Sequence, residues 1–573
     1  MHGTFVSVLI LAAACGATNS GDGDGSGSGS GSGSGMSIPC SPTGLLHDQP
    51  LTVGALDRHY MLYVPSSYRC GGESLPLVVD FGGTWSGSDA DDGEEFYALP
   101  GAIAAAEADG FILARPRSLS SVEDGQTTYR WDENPGDYVK NESFGHMLIQ
   151  ELEGLYAIDP ARVYALGFSS GTGMAAQFFA DTPQVFHGYA FVGGGYFPGE
   201  EPPAVEIDPT ARMYGVSGYR DYLYPDEEDL LALLDAHDVP RAQYFQRTDN
   251  NGHELYGWHY LEMFDWLDRG VRPATGSLAA DWTAEAVPAT EDLTALAGDG
   301  SGGLVATGGG GGIFHRDPTT GWSRVAALDG APGLAAACIL PSGTGIAIGD
   351  AAVAHTIDHG ATWQTDVSIP QFVPGYFDVP FLTAIGCSTD QLVTFGYWNA
   401  ANSTDAVHWT QTAAQSYGYA AQGAQVKSSA SGTWIASGYY YLARSTDGVT
   451  FTPVDSPLAD TQWLMGIAST SGGRWFAVGE AGALITSVDD GVTWTALVSG
   501  TTEDLYSIAF AADGLHGLAV GAHGAAVATS NGGATWTLRA TGLDAFVGDV
   551  TWLDATTALV VGGNGLAATT QLP

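Results

Sequence analysis

The chain has 573 residues, room for several domains at roughly 100–200 residues each, which excludes a single small module. Hydrophobic residues make up 45% and charged residues 14%, with 80 Gly and 15 Trp. That balance excludes wholesale disorder and fits a turn-rich β protein over much of the length. Lys plus Arg number 19 against 64 Asp plus Glu, a formal charge of −45, so nucleic acid and anionic lipid are not expected as partners.

At the start, Phe5 to Ala14 form an apolar run that ends in small residues before Cys15. A bilayer needs about 20 such residues, so the run reads as a processing signal. The string Leu11-Ala12-Ala13-Ala14-Cys15 resembles a bacterial lipoprotein box. The resemblance implies a signal peptide over residues 1–15 and lipidation of Cys15. It further implies an exported protein at the outer membrane or cell surface, touching the membrane through its lipid alone; plain secretion to the periplasm or medium is the alternative. Two departures stand out: the leader has His2 but no Lys or Arg, and Ala12 occupies the usual Leu position. Residues 16–37 are a Gly/Ser-rich run with nothing to bury, a flexible linker. An oxidising compartment lets thiols pair. Cys40 and Cys70, flanking the first strands beyond the linker, are the candidate disulfide, whereas Cys338 and Cys387 either pair or stay free. No Cys-x-x-Cys or His-Glu-x-x-His string occurs, so no metal or other cofactor is expected.

Residues 38–272 alternate strand and helix signals, the pattern of a mostly parallel sheet with helices on both faces. Tyr60–Val64, Leu75–Phe81 and residues 110–114 read as strands; residues 100–109 and Phe144–Tyr156 read as helices. The strand Val163–Leu166 runs into Gly167-Phe168-Ser169-Ser170-Gly171, and a small-residue helix follows. Strand, tight turn and helix together present the Ser169 hydroxyl as a nucleophile at the sheet's C-terminal edge. Its base must be a histidine further on; His253, in a Gly-flanked loop before the closing helix, is the candidate, ahead of His187, His237 and His259. The candidate acid is Asp221, after the strand Met213–Val216, with Asp226 and Asp249 as rivals. The oxyanion of an acyl transfer would meet the amide of Ser170 and those of Gly83 or Thr84, after the strand that ends at Phe81. Trp85, Trp131 and Trp258 are candidate substrate-stacking residues.

These residues resemble the extracellular polyhydroxybutyrate-depolymerase and feruloyl-esterase group of α/β-hydrolases. The matching strings are Tyr60-x-Leu62-Tyr63-Val64-Pro65, Pro76-Leu77-Val78-Val79, Ile158-Asp159-Pro160-x-Arg162-Val163-Tyr164-x-x-Gly167-x-Ser169-x-Gly171 and Gly252-His253. The resemblance implies hydrolysis of a carboxylic ester of polyhydroxyalkanoate, feruloyl or acetyl-polysaccharide type by Ser169, His253 and Asp221. Departures occur where the group usually has His-Gly, Ser-Asn-Gly-Gly and His-Gly: here stand Gly82-Gly83, Ser169-Ser170-Gly171-Thr172 and Ser217-Gly218. They leave the substrate open and keep a second reading alive, a cell-surface binding or scaffold lipoprotein whose hydrolase domain is catalytically weakened.

From 277 to 573 helical signals give way to a repeat. Aromatic anchors fall at Trp282, Trp322, Trp363, Trp409, Phe451, Trp494 and Trp536, gaps of 40 to 46 residues. Several follow strings such as Asp358-His359-Gly360-Ala361-Thr362 and Asp490-Gly491-Val492-Thr493. A period of roughly 40–45 residues holds four strands, one propeller blade, so seven blades are expected. Trp282, which no strands of its own precede, is expected to share a blade with Leu566–Thr570 at the far end, sealing the ring. The repeat resembles the Asp-box of bacterial neuraminidases and the photosystem II assembly-factor propellers. Arginines are too few here for recognition of a sialate carboxylate, so the resemblance is architectural. A glycan, polymer or protein ligand on one face of the ring stays open. The fold class expected is therefore multidomain: α/β-hydrolase, then an all-β seven-bladed propeller.

Overall fold

Alternating apolar residues decide how the first domain builds its sheet. The computed structural model describes residues 42–572 apart from 87–98, 124–125, 132–134, 196–209, 220, 222–229, 232, 237, 250–252, 274–275, 329–332, 351, 370–381, 397–398, 412–422, 439–440 and 459–462. The leader, the linker, Cys15 and Cys40 lie outside them. The strands of this domain are β1 (Gly44–Val53), β2 (Leu56–Val64), β3 (Leu75–Phe81), β4 (Trp85–Ser86), β5 (Ile112–Pro116), β6 (Ser120–Glu123), β7 (Gln126–Tyr129), β8 (Ile158–Phe168), β9 (Gly188–Val192), β10 (Arg212–Gly218) and β11 (Tyr244–Asp249). Eight of them form one sheet in the order β1-β2-β5-β3-β8-β9-β10-β11. It is antiparallel across β1/β2 and β2/β5 and parallel from β5 onward.

Residues two apart on a strand share a face, and the two faces find different helices. Leu77, Val79 and Phe81 of β3 and Val163 and Ala165 of β8 share a buried core with Phe144, Leu148, Met174 and Phe178, from α2 (Pro135–Leu155) and α3 (Ser170–Asp181). Their neighbours Val78, Leu166 and Phe168 pack instead with Ala102, Ala106, Tyr260 and Phe264, from α1 (Leu99–Asp109) and the closing helix (Gly257–Phe264). A sheet covered on both faces is the α/β arrangement, and its parallel strands β5 and β9 are buried throughout. The helix expected from Phe144 begins earlier, at Pro135. Proline suits a first helical position because its missing N–H would have had no partner there. At the sheet's centre the buried Asp80 carboxylate accepts from Arg115 Nε at 2.9 Å, Arg115 Nη2 at 2.6 Å and Tyr260 Oη at 2.7 Å. This ion pair ties the closing helix to β3 and β5. Because β3, β8, β10 and β11 are parallel, their C-terminal ends share one edge.

The second region is a ring of seven sheets. Its innermost strands are Leu293–Gly298, Gly333–Ile339, Leu382–Cys387, Gly423–Ser428, Leu464–Ser469, Leu505–Phe510 and Val547–Trp552. Each lies beside the next and the last lies beside the first. The seventh sheet takes its outer strand, Trp282–Ala284, from the start of the ring, with Trp282 opposite Thr570 on Leu566–Gln571. The second blade shows three strands and a single bridge, His355 to Gln364. Cys338 and Cys387, left open by the sequence, form a disulfide that joins the innermost strands of the second and third blades. Cys70 is also disulfide-bonded.

The repeated hairpins work through an acceptor side chain. Thr362 N–H donates to Asp358 at 2.9 Å, Thr450 N–H to Asp447 at 2.8 Å and Thr535 N–H to Asn531 at 3.0 Å. In the fifth blade the acceptor is Asp489, which takes Thr493 N–H at 2.8 Å and its hydroxyl at 2.6 Å, and not Asp490 as the string alone suggests. Asp490 instead occupies the left-handed position (φ 61°), as His359 does (φ 62°). The Thr493 hydroxyl and amide and the Ser487 hydroxyl hold the Asp489 carboxyl down at about 2.

Candidate active site

The turn after β8 has no room for side chains on either side of Ser169. A Cβ added to Gly167 would lie 2.4 Å from the Gly171 carbonyl oxygen, and one added to Gly171 would lie 1.7 Å from that of Phe81. Main chain on both sides cannot move aside, so both positions must be glycine. Ser169 itself takes φ 54°, ψ −125°, a strained conformation for a residue with a Cβ. The strain turns the hydroxyl out over the sheet edge at the N-terminus of α3.

His253 Nε2 lies 2.8 Å from Ser169 Oγ, and its Nδ1 lies 2.9 and 3.0 Å from the two carboxylate oxygens of Asp221. Asp221 is fully buried; the His253 ring stacks on Phe168 with centroids 5.0 Å apart. With Nδ1 protonated toward the carboxylate, Nε2 is the ring atom that can accept from the serine hydroxyl. Of the other candidates, Asp226 and His237 lie outside the described residues, as does the side chain of Asp249. His259 is fully buried, and its Nδ1 accepts from Tyr256 N–H at 3.1 Å. Burial, followed by Arg247 and His523, pushes its pKa well below the usual histidine range.

Of the residues expected to meet an oxyanion, Gly83 lies so close that an added Cβ would be 3.0 Å from Ser169 Cβ, while Ser170 opens α3 and Thr84 follows Gly83. Trp131 has a different place from the stacking role expected of it. It is 3% exposed, meets Phe81 edge-on at 5.2 Å and donates from Nε1 to the Gly82 carbonyl at 2.9 Å. It therefore anchors the glycine loop and is too buried to stack on a ligand. Trp258 is also removed from that role: Arg247 lies 4.9 Å over its ring and His523 of the propeller meets it at 4.7 Å. The Trp85 side chain lies outside the described residues.

Gly193 escaped the sequence reading. A Cβ there would lie 2.9 Å from Asp221 Oδ2 and 3.3 Å from His253 Nδ1, and its φ is +56°. The run Gly193-Gly194-Gly195 straight after a strand was the available signal. Next to His253, Glu254 is partly buried. Desolvation, then the carboxylates of Glu480, Asp504 and Asp221, push its carboxyl well above the usual range.

The chain is thus an α/β domain holding a serine, a histidine and an aspartate in hydrogen-bonded line, joined to a seven-bladed β-propeller. No family model matches it. A relative from Nocardia uniformis subsp. tsuyamanensis, named "Putative esterase NocK", is 33% identical over 177 residues, 30% of this chain and 46% of that protein. The chain therefore spans about half the length of the curated relative that it matches. Among solved structures, YCF48 from Cyanidioschyzon merolae aligns with 51% of this chain and 99% of its own, at TM-score 0.41 and 15% identity. Virginiamycin B lyase from Staphylococcus aureus aligns over the same shares at TM-score 0.42 and 10% identity.

Proposed function

We propose that the chain is a serine esterase. The observation that carries this reading is the 2.8 Å approach of His253 Nε2 to Ser169 Oγ, with Asp221 behind the ring. Ser169 Oγ attacks the ester carbonyl as its proton passes to His253 Nε2. The resulting oxyanion is met by the amides of Ser170 and of Gly83 or Thr84. Collapse expels the alcohol, which takes the proton from His253. Water, deprotonated by the same nitrogen, then releases the acid and restores Ser169. The resemblance to the polyhydroxybutyrate-depolymerase and feruloyl-esterase group favours an ester within a polymer or its fragments. We place the enzyme outside the cytoplasm on a lipid at Cys15, a reading that labelled-palmitate incorporation lost on Cys15→Ser would support. The activity is tested with p-nitrophenyl butyrate and a fluorophosphonate probe on the wild type and Ser169→Ala. Turnover and labelling in the wild type alone are expected; equal signals would eliminate the esterase reading.

A further inference from the structure

Asp292 belongs to the propeller, one residue before the innermost strand of its first blade. Its Oδ1 accepts from the Asn564 amide at 2.6 Å, in the loop of the neighbouring seventh blade. That half of its bonding belongs to the repeat, because Asp504 stands at the same place in the sixth blade and accepts from the Ala481 amide of the fifth at 2.8 Å. The other oxygen of Asp292 points at the α/β domain. Oδ2 accepts from Tyr219 Oη at 3.1 Å and from Thr248 Oγ1.

Those two donors sit where the triad is assembled. Tyr219 follows β10 and precedes Asp221 by two residues. Thr248 lies at the end of β11, opposite Ser217 of β10, and stands five residues before His253. Tyr219 fills a slot cut for it, since a Cβ on Gly309 of the first blade would come within 2.1 Å of its hydroxyl. The far end of the His253 segment is held by the propeller as well. Tyr219 and Tyr256 share a buried cluster with Trp463, Tyr506 and Phe546, with Trp258 packed against it. Arg247, one residue before Thr248, donates to Asp544 Oδ2 at 3.2 Å and to its carbonyl at 3.1 Å.

We infer that Asp292 is a positioning residue for the esterase, a propeller carboxylate that sets the mutual placement of Asp221 and His253 from the neighbouring domain. The inference rests on the esterase reading. Reactive groups displaced by about 1 Å lose on the order of 10²-fold in rate, so the anchor matters without touching substrate. It also makes the propeller part of the catalytic unit.

The test uses the full chain and p-nitrophenyl acetate. Asp292→Ala should lower kcat about 10- to 100-fold while KM stays within roughly threefold, with fluorophosphonate labelling slowed in proportion. Fluorophosphonate labelling taken to completion counts the folded active sites, so kcat per labelled site falls where the reacting groups are displaced and holds where part of the chain has merely unfolded. Because Asp292→Ala also frees the Asn564 amide, the double variant Tyr219→Phe/Thr248→Val, which removes only two hydroxyls, should reproduce the loss of kcat per labelled site. Adding it to Asp292→Ala should cost little more, since both break the same link. Glu291→Gln, which loosens the neighbouring contacts with Arg324 and Thr290 but leaves Asp292 in place, should stay within about twofold of the wild type. An active wild type with Asp292→Ala or the double variant unchanged in kcat per labelled site would overturn this inference alone. A wild type no better than Ser169→Ala would take the esterase reading down with it.

Discussion

Among the described residues, non-glycine positions with positive φ recur through the propeller and include Ser169 in the α/β domain, and the uses differ. In the propeller, Ala481 (φ 52°, ψ 35°), His523 (φ 49°, ψ 37°) and Asn564 (φ 58°, ψ 34°) take nearly the same conformation at the same point of three successive blades. All three lie in the αL region, which costs about 1–2 kcal/mol, and each precedes a positive-φ glycine. Ser169 shares the positive φ, but its ψ of −125° leaves that region, and main chain crowds it on both sides. A conformation repeated from blade to blade builds a scaffold. That of Ser169, crowded by fixed main chain and aimed at a histidine, is the mark of a site.

The largest effect expected separates the two uses. Ser169→Gly should abolish ester turnover, by at least about 10⁴-fold, yet raise the melting temperature, since glycine accepts the strained φ/ψ. A lowered melting temperature would show that the elbow is not strained. Removing the disulfide with Cys338→Ser/Cys387→Ser should cost the propeller about 2–4 kcal/mol in chemical denaturation and leave kcat unchanged, because that bond lies between the second and third blades.

A smaller contrast is in pH. Asp489 has a depressed pKa in the folded chain, so its contribution is present above the ordinary carboxyl range and is lost as pH falls toward about 2. Glu254 has the opposite sign: its pKa is raised, so its contribution is present below the ordinary carboxyl range and is lost as pH rises through the elevated value. Glu254→Gln should therefore melt like the wild type at pH 4 and above it at pH 8. Asp489→Ala should melt lower at pH 7 and converge with the wild type in strong acid. Scans of melting temperature against pH would check both, and parallel curves would erase the distinction.

What could be read in advance follows the same division. Ser169 was legible because its requirements are local: a strand, two glycines and a helix lie next to one another in the chain. The blades were legible because their aromatic spacing repeats. The string Asp490-Gly491-Val492-Thr493 starts one residue after its acceptor, Asp489, because the hairpin sets a positive-φ residue between acceptor and glycine, filled by His359 in one copy and Asp490 in another. Trp131 was misread because its partner is the carbonyl of Gly82, 49 residues away. Asp292 was invisible for the same reason, its meaning residing in hydroxyls 73 and 44 residues before it. No periodicity reports contacts of that kind.

The seam at Trp282–Ala284 has a consequence in time. A ribosome finishes the α/β domain and six blades before Leu566–Gln571 emerges to meet the strand that has waited since the first blade was made. Asn564, whose amide holds Asp292, emerges just ahead of it. A nascent or prematurely terminated chain would therefore own a complete serine elbow while its Asp292 anchor was still unset, and full activity would arrive late in synthesis.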